Sequence, residues 1–179
     1  SIPDMPDVPE WIEPDLQASL QDDFQSVVQS MRTRAPVFLR VNLRKTSLTD
    51  AMAVLQEEGV STRDCPLSDS ALQAVEGARR VSSGAAYRDG LVELQDASSQ
   101  AAIESLPLAD GMRILDYCAG GGGKTLAMGA RIQGEFVAHD AHAARLRDLP
   151  ARVSRAGLDV TVLEKEHLAL EQPFDLVFC

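Results

Sequence analysis

The strongest constraint on the fold is one stretch, residues 112–125, which reads Met-Arg-Ile-Leu-Asp-Tyr-Cys-Ala-Gly-Gly-Gly-Gly-Lys-Thr. A short apolar run (Met112, Ile114, Leu115) stops at Asp116. Four glycines follow, Gly120 to Gly123, and then Lys124, Thr125 and a helix-forming run to Arg131. The order is strand, glycine loop, helix. In an open α/β sheet such a loop lies at the carboxyl end of a strand, where ligands sit. Glycines let backbone N–H groups approach a ligand with no Cβ in the way. The start of the helix adds a partial positive charge that favours an anionic group.

Three ligand patterns compete for this loop. A phosphate-binding P-loop, G-x-x-x-x-G-K-[ST], fits Gly123-Lys124-Thr125 but puts its first glycine on Cys118. A dinucleotide fingerprint, G-x-G-x-x-G, fits Gly120 and Gly122 but needs a glycine where Thr125 stands. The third pattern is an acidic residue ending the strand, with glycines at alternate positions after it. Asp116, Gly120 and Gly122 match it, with Cys118 in the first glycine slot. A loop with no ligand would carry four glycines at a conformational cost and for no structural gain.

The third pattern resembles the first motif of class I S-adenosylmethionine (SAM) methyltransferases. The string Asp-x-Cys-Ala-x-x-Gly-Gly-Lys-Thr is similar to that of the SUN/NOP family of RNA cytosine-C5 methyltransferases, where a proline usually stands in place of Gly121. The same family has an Arg-Val-Asn opening, here Arg40-Val41-Asn42, and a Gln-Asp-x-x-Ser run, here Gln95-Asp96-Ala97-Ser98-Ser99. The resemblance implies SAM as cofactor and RNA, specifically ribosomal RNA, as partner.

Composition sets bounds. The 179 residues are 45% hydrophobic and 25% charged, the values of a globular protein. No apolar run approaches the roughly 20 residues that span a bilayer, and the acidic, proline-rich start is unlike a signal peptide. Cys65, Cys118 and Cys179 are odd in number and lack C-x-x-C spacing, which favours a reducing, cytoplasmic setting and gives no reason for a metal site. The net charge of −10 argues against nucleic acid. Its distribution is uneven: five basic residues and no acid lie between Arg32 and Lys45. An RNA-facing surface is expected to include that stretch, because counterion release needs clustered Lys and Arg.

Along the chain, residues 1–36 read as an extended arm and one amphipathic helix. Trp11 is expected to anchor the arm. Leu16, Leu20, Phe24, Val27, Val28 and Met31 form the helix's apolar stripe. Residues 37–106 read as a small α+β, RRM-like domain. It has an alternating strand at 37–43, a helix at 46–58 capped by Ser47 or Thr49 and ended by Gly59, and short strands at 60–65, 71–75 and 90–94, with a turn at 84–89. A helix follows at 97–106, with Asp96 as its N-cap. Only Phe38 and Tyr87 are available as base-stacking aromatics, which argues against the usual RRM mode.

Residues 107–179 read as the front half of a Rossmann-like, doubly wound sheet of the class I SAM methyltransferase type, preceded by the RRM-like domain. Strands fall at 113–116, 134–139, 159–163 and 174–179. Helices fall at 124–132 and 141–156, the second kinked or split by Pro150 and closed by Gly157. The last strand, apolar after Asp175, is expected to be a buried parallel strand. Its stop at Cys179 suggests part of a longer chain.

The resemblance implies roles for single residues. Backbone amides of Cys118, Ala119, Gly120, Gly121, Gly122 and Gly123 would hold the methionine moiety of SAM, with Lys124 paired to its carboxylate. Asp140, at the end of the next strand, would accept the ribose hydroxyls while also capping a helix, and Arg145 would sit near it. Glu166 best fits the place of the family's adenine-contacting acid. The family's nucleophilic cysteines, in Asp-x-Pro-Cys and Thr-Cys motifs, are not in this sequence, so the 179 residues are expected to bind SAM and transfer no methyl group. Two other readings stay open: a SAM methyltransferase for protein or small molecules, and a P-loop-like nucleotide-binding module.

Overall fold

In the computed structural model the described residues are 8–163 and 172–179. They form two units, residues 1–36 and residues 37–179. In the first, α1 (Glu13–Leu20) and α2 (Phe24–Met31) are separated by a single 3₁₀ turn at Gln21–Asp23. The single helix expected from the sequence is therefore broken, and Gln21 takes φ 47° at the break. A 3₁₀ turn advances about 120° per residue, against about 100° in an α-helix. The apolar stripe is thereby re-phased. Phe24 and Val28 bury with Val8 against Ile12, Leu16 and Leu20, while Met31 is turned outward. Trp11, expected as an anchor, is 78% exposed. Val8, Ile12, Leu16 and Leu20 recur every four residues on one face, and Trp11 lies one residue, roughly 100°, off that face.

The second unit holds two sheets. The first contains β1 (Val37–Val41), β2 (Ser61–Asp64), β3 (Ala71–Glu76) and β4 (Val92–Leu94) in the order β2-β3-β1-β4, with all neighbours antiparallel. Strand alternation sorts its two faces. Leu39, Val41, Leu72, Ala74 and Val92 pack on α3 (Leu48–Glu57) and on Val81 and Ala86. The Ser47 hydroxyl caps α3 by accepting the Asp50 amide at 3.1 Å, and Gly59 takes φ 74° after it. The expected turn at 84–89 contains one helical turn, α4 (Ala85–Arg88), whose Ala86 amide donates to Glu58 Oε1. Leu43, expected to continue the strand, lies past its end and is 40% exposed.

The other face of this sheet carries Phe38, Arg40 and Ala71. It is covered by α5 (Ala97–Glu104), with Phe38, Cys65, Ala71 and Ala97 in one cluster. Asp96 caps α5 by accepting the Ser98 amide at 2.8 Å. One turn on, the Gln100 side chain donates to the carbonyls of Leu39 and Gln95. Ile103, on the same helix, enters the core of the second sheet with Ile114 and Met128.

That second sheet is parallel, in the order β7-β6-β5-β8, built from β5 (Arg113–Asp116), β6 (Glu135–Ala138), β7 (Val160–Val162) and β8 (Leu176–Phe178). Its first helix, α6 (Gly123–Gly129), is buried between α5 and the sheet. The stretch after β6 resolves the question left at Pro150: a 3₁₀ turn at Ala143–Asp148 is followed by α7 (Leu149–Ala156), with Pro150 in its first turn, where no N–H is needed. The last strand is parallel as expected: among the described residues β8 pairs with β5, opposite β6.

Candidate functional site

The chain winds from β5 outward to β6 and β7 on one side and reaches β8 on the other, so the order reverses between β5 and β8. Such a switch point opens a crevice at the carboxyl ends of the strands. The loop after β5 lies there. After the last pairing of Asp116 with Phe178, the Tyr117 amide still donates to the Phe178 carbonyl at 2.8 Å.

Asp116 is 2% exposed, and burial raises its carboxyl above the ordinary range. The Thr125 hydroxyl donates to its Oδ2 at 2.7 Å, which ties the strand end to the first turn of α6. Between them the loop turns on Gly120 (φ 51°) and Gly122 (φ 80°), and the Gly122 amide donates to the Ala119 carbonyl at 2.8 Å. A Cβ on Gly122 would stand 2.1 Å from Leu149 Cδ1, so that glycine is required by packing as well as by backbone angle. Among the described residues, apart from its chain neighbours, the Asp140 carboxylate is what lies within 4 Å of where a Cβ on Gly120 would stand, at 3.9 Å.

Asp140, two residues past the end of β6, closes the loop. Its Oδ1 accepts the His142 amide at 2.9 Å and its Oδ2 the Gly120 amide at 3.0 Å. These amides, His142 first, hold its carboxyl below the usual range, and the Arg145 charge adds to the effect. Cys118 is exposed beside the buried Ala119. Lys124 is exposed at the start of α6, with its ammonium 5.9 Å from the Phe178 ring centroid across the crevice. The structure thus brings Cys118 to Lys124 and Asp140 to one place. Glu166 lies outside the described residues.

The loop is also gripped from behind by residues for which the sequence indicated no such role. Arg40 is 4% exposed; its Nη1 donates to the Gly123 carbonyl at 2.7 Å and to Gln95 Oε1 at 2.8 Å. Burial lowers its pKa to about 10, so it stays charged at neutral pH. Gln95 Nε2 donates to the same carbonyl at 3.2 Å, and Arg152 Nη1 donates to the Gly121 carbonyl. Because the peptide unit is planar and trans, a carbonyl held on one side points the following N–H to the other. Arg40 and Gln95 thereby aim the Lys124 amide away from the first sheet.

Three of the five basic residues of the 32–45 stretch have structural partners. Arg40 is buried in the grip just described. Arg44 donates to the Gly129 and Ile132 carbonyls at the end of α6, and Lys45 to the Asp89 and Arg155 carbonyls. Cations at helix C-terminal carbonyls are favourable, and here they join the two sheets. Asn42 does the same through the Gly90 and Ala156 carbonyls at 3.1 and 3.0 Å. The Arg-Val-Asn string is therefore a set of struts. The signal that could have revealed this is two polar residues, Arg40 and Asn42, spaced by two and so on one face at the end of an otherwise apolar strand.

Residues 8–82 match the model of the RsmF/B-like methyltransferase ferredoxin-like domain. Over 170 residues the chain is 28% identical to the ribosomal RNA small subunit methyltransferase B of Pseudomonas syringae pv. tomato, covering 93% of the chain and 38% of that protein. Over 177 residues it is 31% identical to the like-named protein of Xanthomonas campestris pv. campestris, covering 94% and 40%. The chain spans about two fifths of the length of the curated relatives it matches. Among solved structures, NSun6 from Pyrococcus horikoshii with SFG aligns at a TM-score of 0.77 and 15% identity, covering 87% of this chain and 65% of that one. That likeness is one of fold.

Proposed function

We propose that the chain belongs to the RsmF/B-like, SUN/NOP-type methyltransferase family and forms the SAM-binding part of an enzyme that methylates C5 of cytosine in ribosomal RNA, in the cytoplasm. The observation that carries the reading is the Asp140 carboxylate closed onto the glycine loop at the switch point of the parallel sheet.

The residues fit the cofactor. A carboxylate has about four acceptor sites, so each Asp140 oxygen keeps one after taking its backbone amide, enough for a pair of ribose hydroxyls. The space beside Gly120 is bounded by that same carboxylate. The backbone of residues 118–123 would hold the methionine moiety, Lys124 would meet its carboxylate as a point charge, and Glu166 would meet the adenine. Bound there, SAM supplies an electrophilic methyl group. Arg40, Gln95 and Arg152 fix the loop from behind, so its amides are oriented before the ligand arrives. The use of SFG by a protein of the same fold supports the cofactor assignment.

C5 methylation needs a thiolate that adds to C6 of the base. Cys65 is buried in the first sheet, Cys118 belongs to the cofactor loop, and Cys179 directly follows β8. We assign the nucleophile to none of them. The 179 residues alone are expected to bind SAM without turnover.

The P-loop reading loses support at Thr125. A P-loop Ser/Thr places its hydroxyl on Mg²⁺, whereas Thr125 is 1% exposed and its hydroxyl is given to Asp116. Calorimetry with SAM, S-adenosylhomocysteine and ATP with Mg²⁺ tests the choice. SAM and its homocysteine product are expected to bind, and Asp140→Ala to weaken SAM at least about tenfold, roughly 1.4 kcal/mol. Binding of ATP with Mg²⁺ in the absence of SAM binding overturns the assignment.

A further inference from the structure

The face that an RRM-like sheet offers to RNA is occupied here by α5 and by the struts to the second sheet. A different surface has the chemistry. At the seam between the sheets lies an open-sided groove of about 490 Å³, with Tyr87, Glu93 and Leu94 on one wall and Arg147, Asp148, Arg152 and Arg155 on the other. The chain as a whole carries −10, yet residues 145–155 hold four arginines (145, 147, 152 and 155) against one acid, Asp148.

The arginines are positioned from beneath. The Glu93 side chain is 6% exposed and pairs with Arg152 at 3.0 Å and with Arg155. Arg155 lies over the Tyr87 ring, 4.2 Å from its centroid. A guanidinium has five donors, so one carboxylate shared between two of them orients the pair without exhausting it. Arg147 is exposed and has no ion-pair partner among the described residues. Arg152 spans from this groove to the Gly121 carbonyl, so the groove leads to the cofactor loop.

Resting on the SAM-dependent RNA methyltransferase reading, we propose that this groove is the track for the RNA phosphodiester backbone, with Arg147 making a direct phosphate contact. Charge complementarity selects a polyanion, and fixed, forked guanidiniums suit phosphate oxygens.

The test is fluorescence anisotropy with a labelled single-stranded RNA oligonucleotide, over a series of salt concentrations. Arg147→Glu is expected to weaken binding at least about tenfold. Arg147→Ala is expected to reduce the slope of log K against log salt by about 0.7, the increment for one phosphate contact on a single strand. Arg63→Glu on β2, an exposed arginine outside the groove, is expected to change neither. SAM affinity, measured in parallel on each variant, reports that the fold is intact. If Arg147→Glu binds RNA within twofold of the parent with an unchanged slope, the groove assignment falls and the methyltransferase reading stands. If the parent binds SAM but no RNA at any salt concentration, both the groove and the RNA substrate fall.

Discussion

Gly122 and Gly123 are neighbours in one run of four, yet the fold asks different things of them. Gly122 has φ 80° and faces Leu149 Cδ1 at 2.1 Å from a would-be Cβ. Gly123 has no positive φ, and the nearest atom to its Cβ would be Gln95 Nε2 at 3.8 Å. Gly122→Ala is therefore expected to cost more than about 1 kcal/mol, and Gly123→Ala to stay within about 0.5 kcal/mol of the parent. Urea unfolding of the two variants measures the contrast. Asp140 sets a pH dependence. Its folded pKa is depressed by the His142 and Gly120 amides, so its contribution is present above the ordinary carboxylate pKa of about 3.9 and is lost as pH falls through the lower folded value. Asp140→Asn is expected to flatten the loss of stability below about pH 4, as followed by acid unfolding monitored by circular dichroism. The glycines and the acidic strand end were legible as a string. Which glycine is held by packing was not, because Leu149 lies 27 positions away and meets Gly122 only in the folded chain.

Among the elements, β4 and α7 show how three residues hold a seam. Glu93 is the inward-facing acid of β4, and both its arginines come from α7. Glu93→Gln leaves two guanidiniums half-buried without a counter-charge, and the expected cost is about 3 kcal/mol, read from the shift in the denaturation midpoint. Replacing an exposed arginine such as Arg63 is expected to cost less than about 0.5 kcal/mol. Most element types were legible from period and punctuation: alternation in β1, helical spacing and a Ser47 cap in α3, Gly157 after α7. Two of the misreadings share one cause. The 3₁₀ turn at Gln21–Asp23 and the single turn of α4 each keep a local apolar pattern while changing its phase or length. Period analysis over a long window averages such short departures away.

For the whole molecule, charge and topology act together. A chain of −10 is a poor polyanion binder on average, but the fold sets Arg147, Arg152 and Arg155 at one groove and ties Arg40, Arg44 and Lys45 to carbonyls across the seam. Sequence position alone favoured the opposite assignment. The sequence by itself determined the two sheet types and the glycine loop, because each rests on patterns within a few residues of the chain, and the family resemblance, because it rests on short strings in a fixed order. Tertiary structure decided which arginines are struts and which are surface, which face of the first sheet is covered, and which carbonyls of the loop are held. Those outcomes depend on residues 28 to 114 positions apart meeting across a seam, and no local period or motif encodes the identity of a partner at that distance.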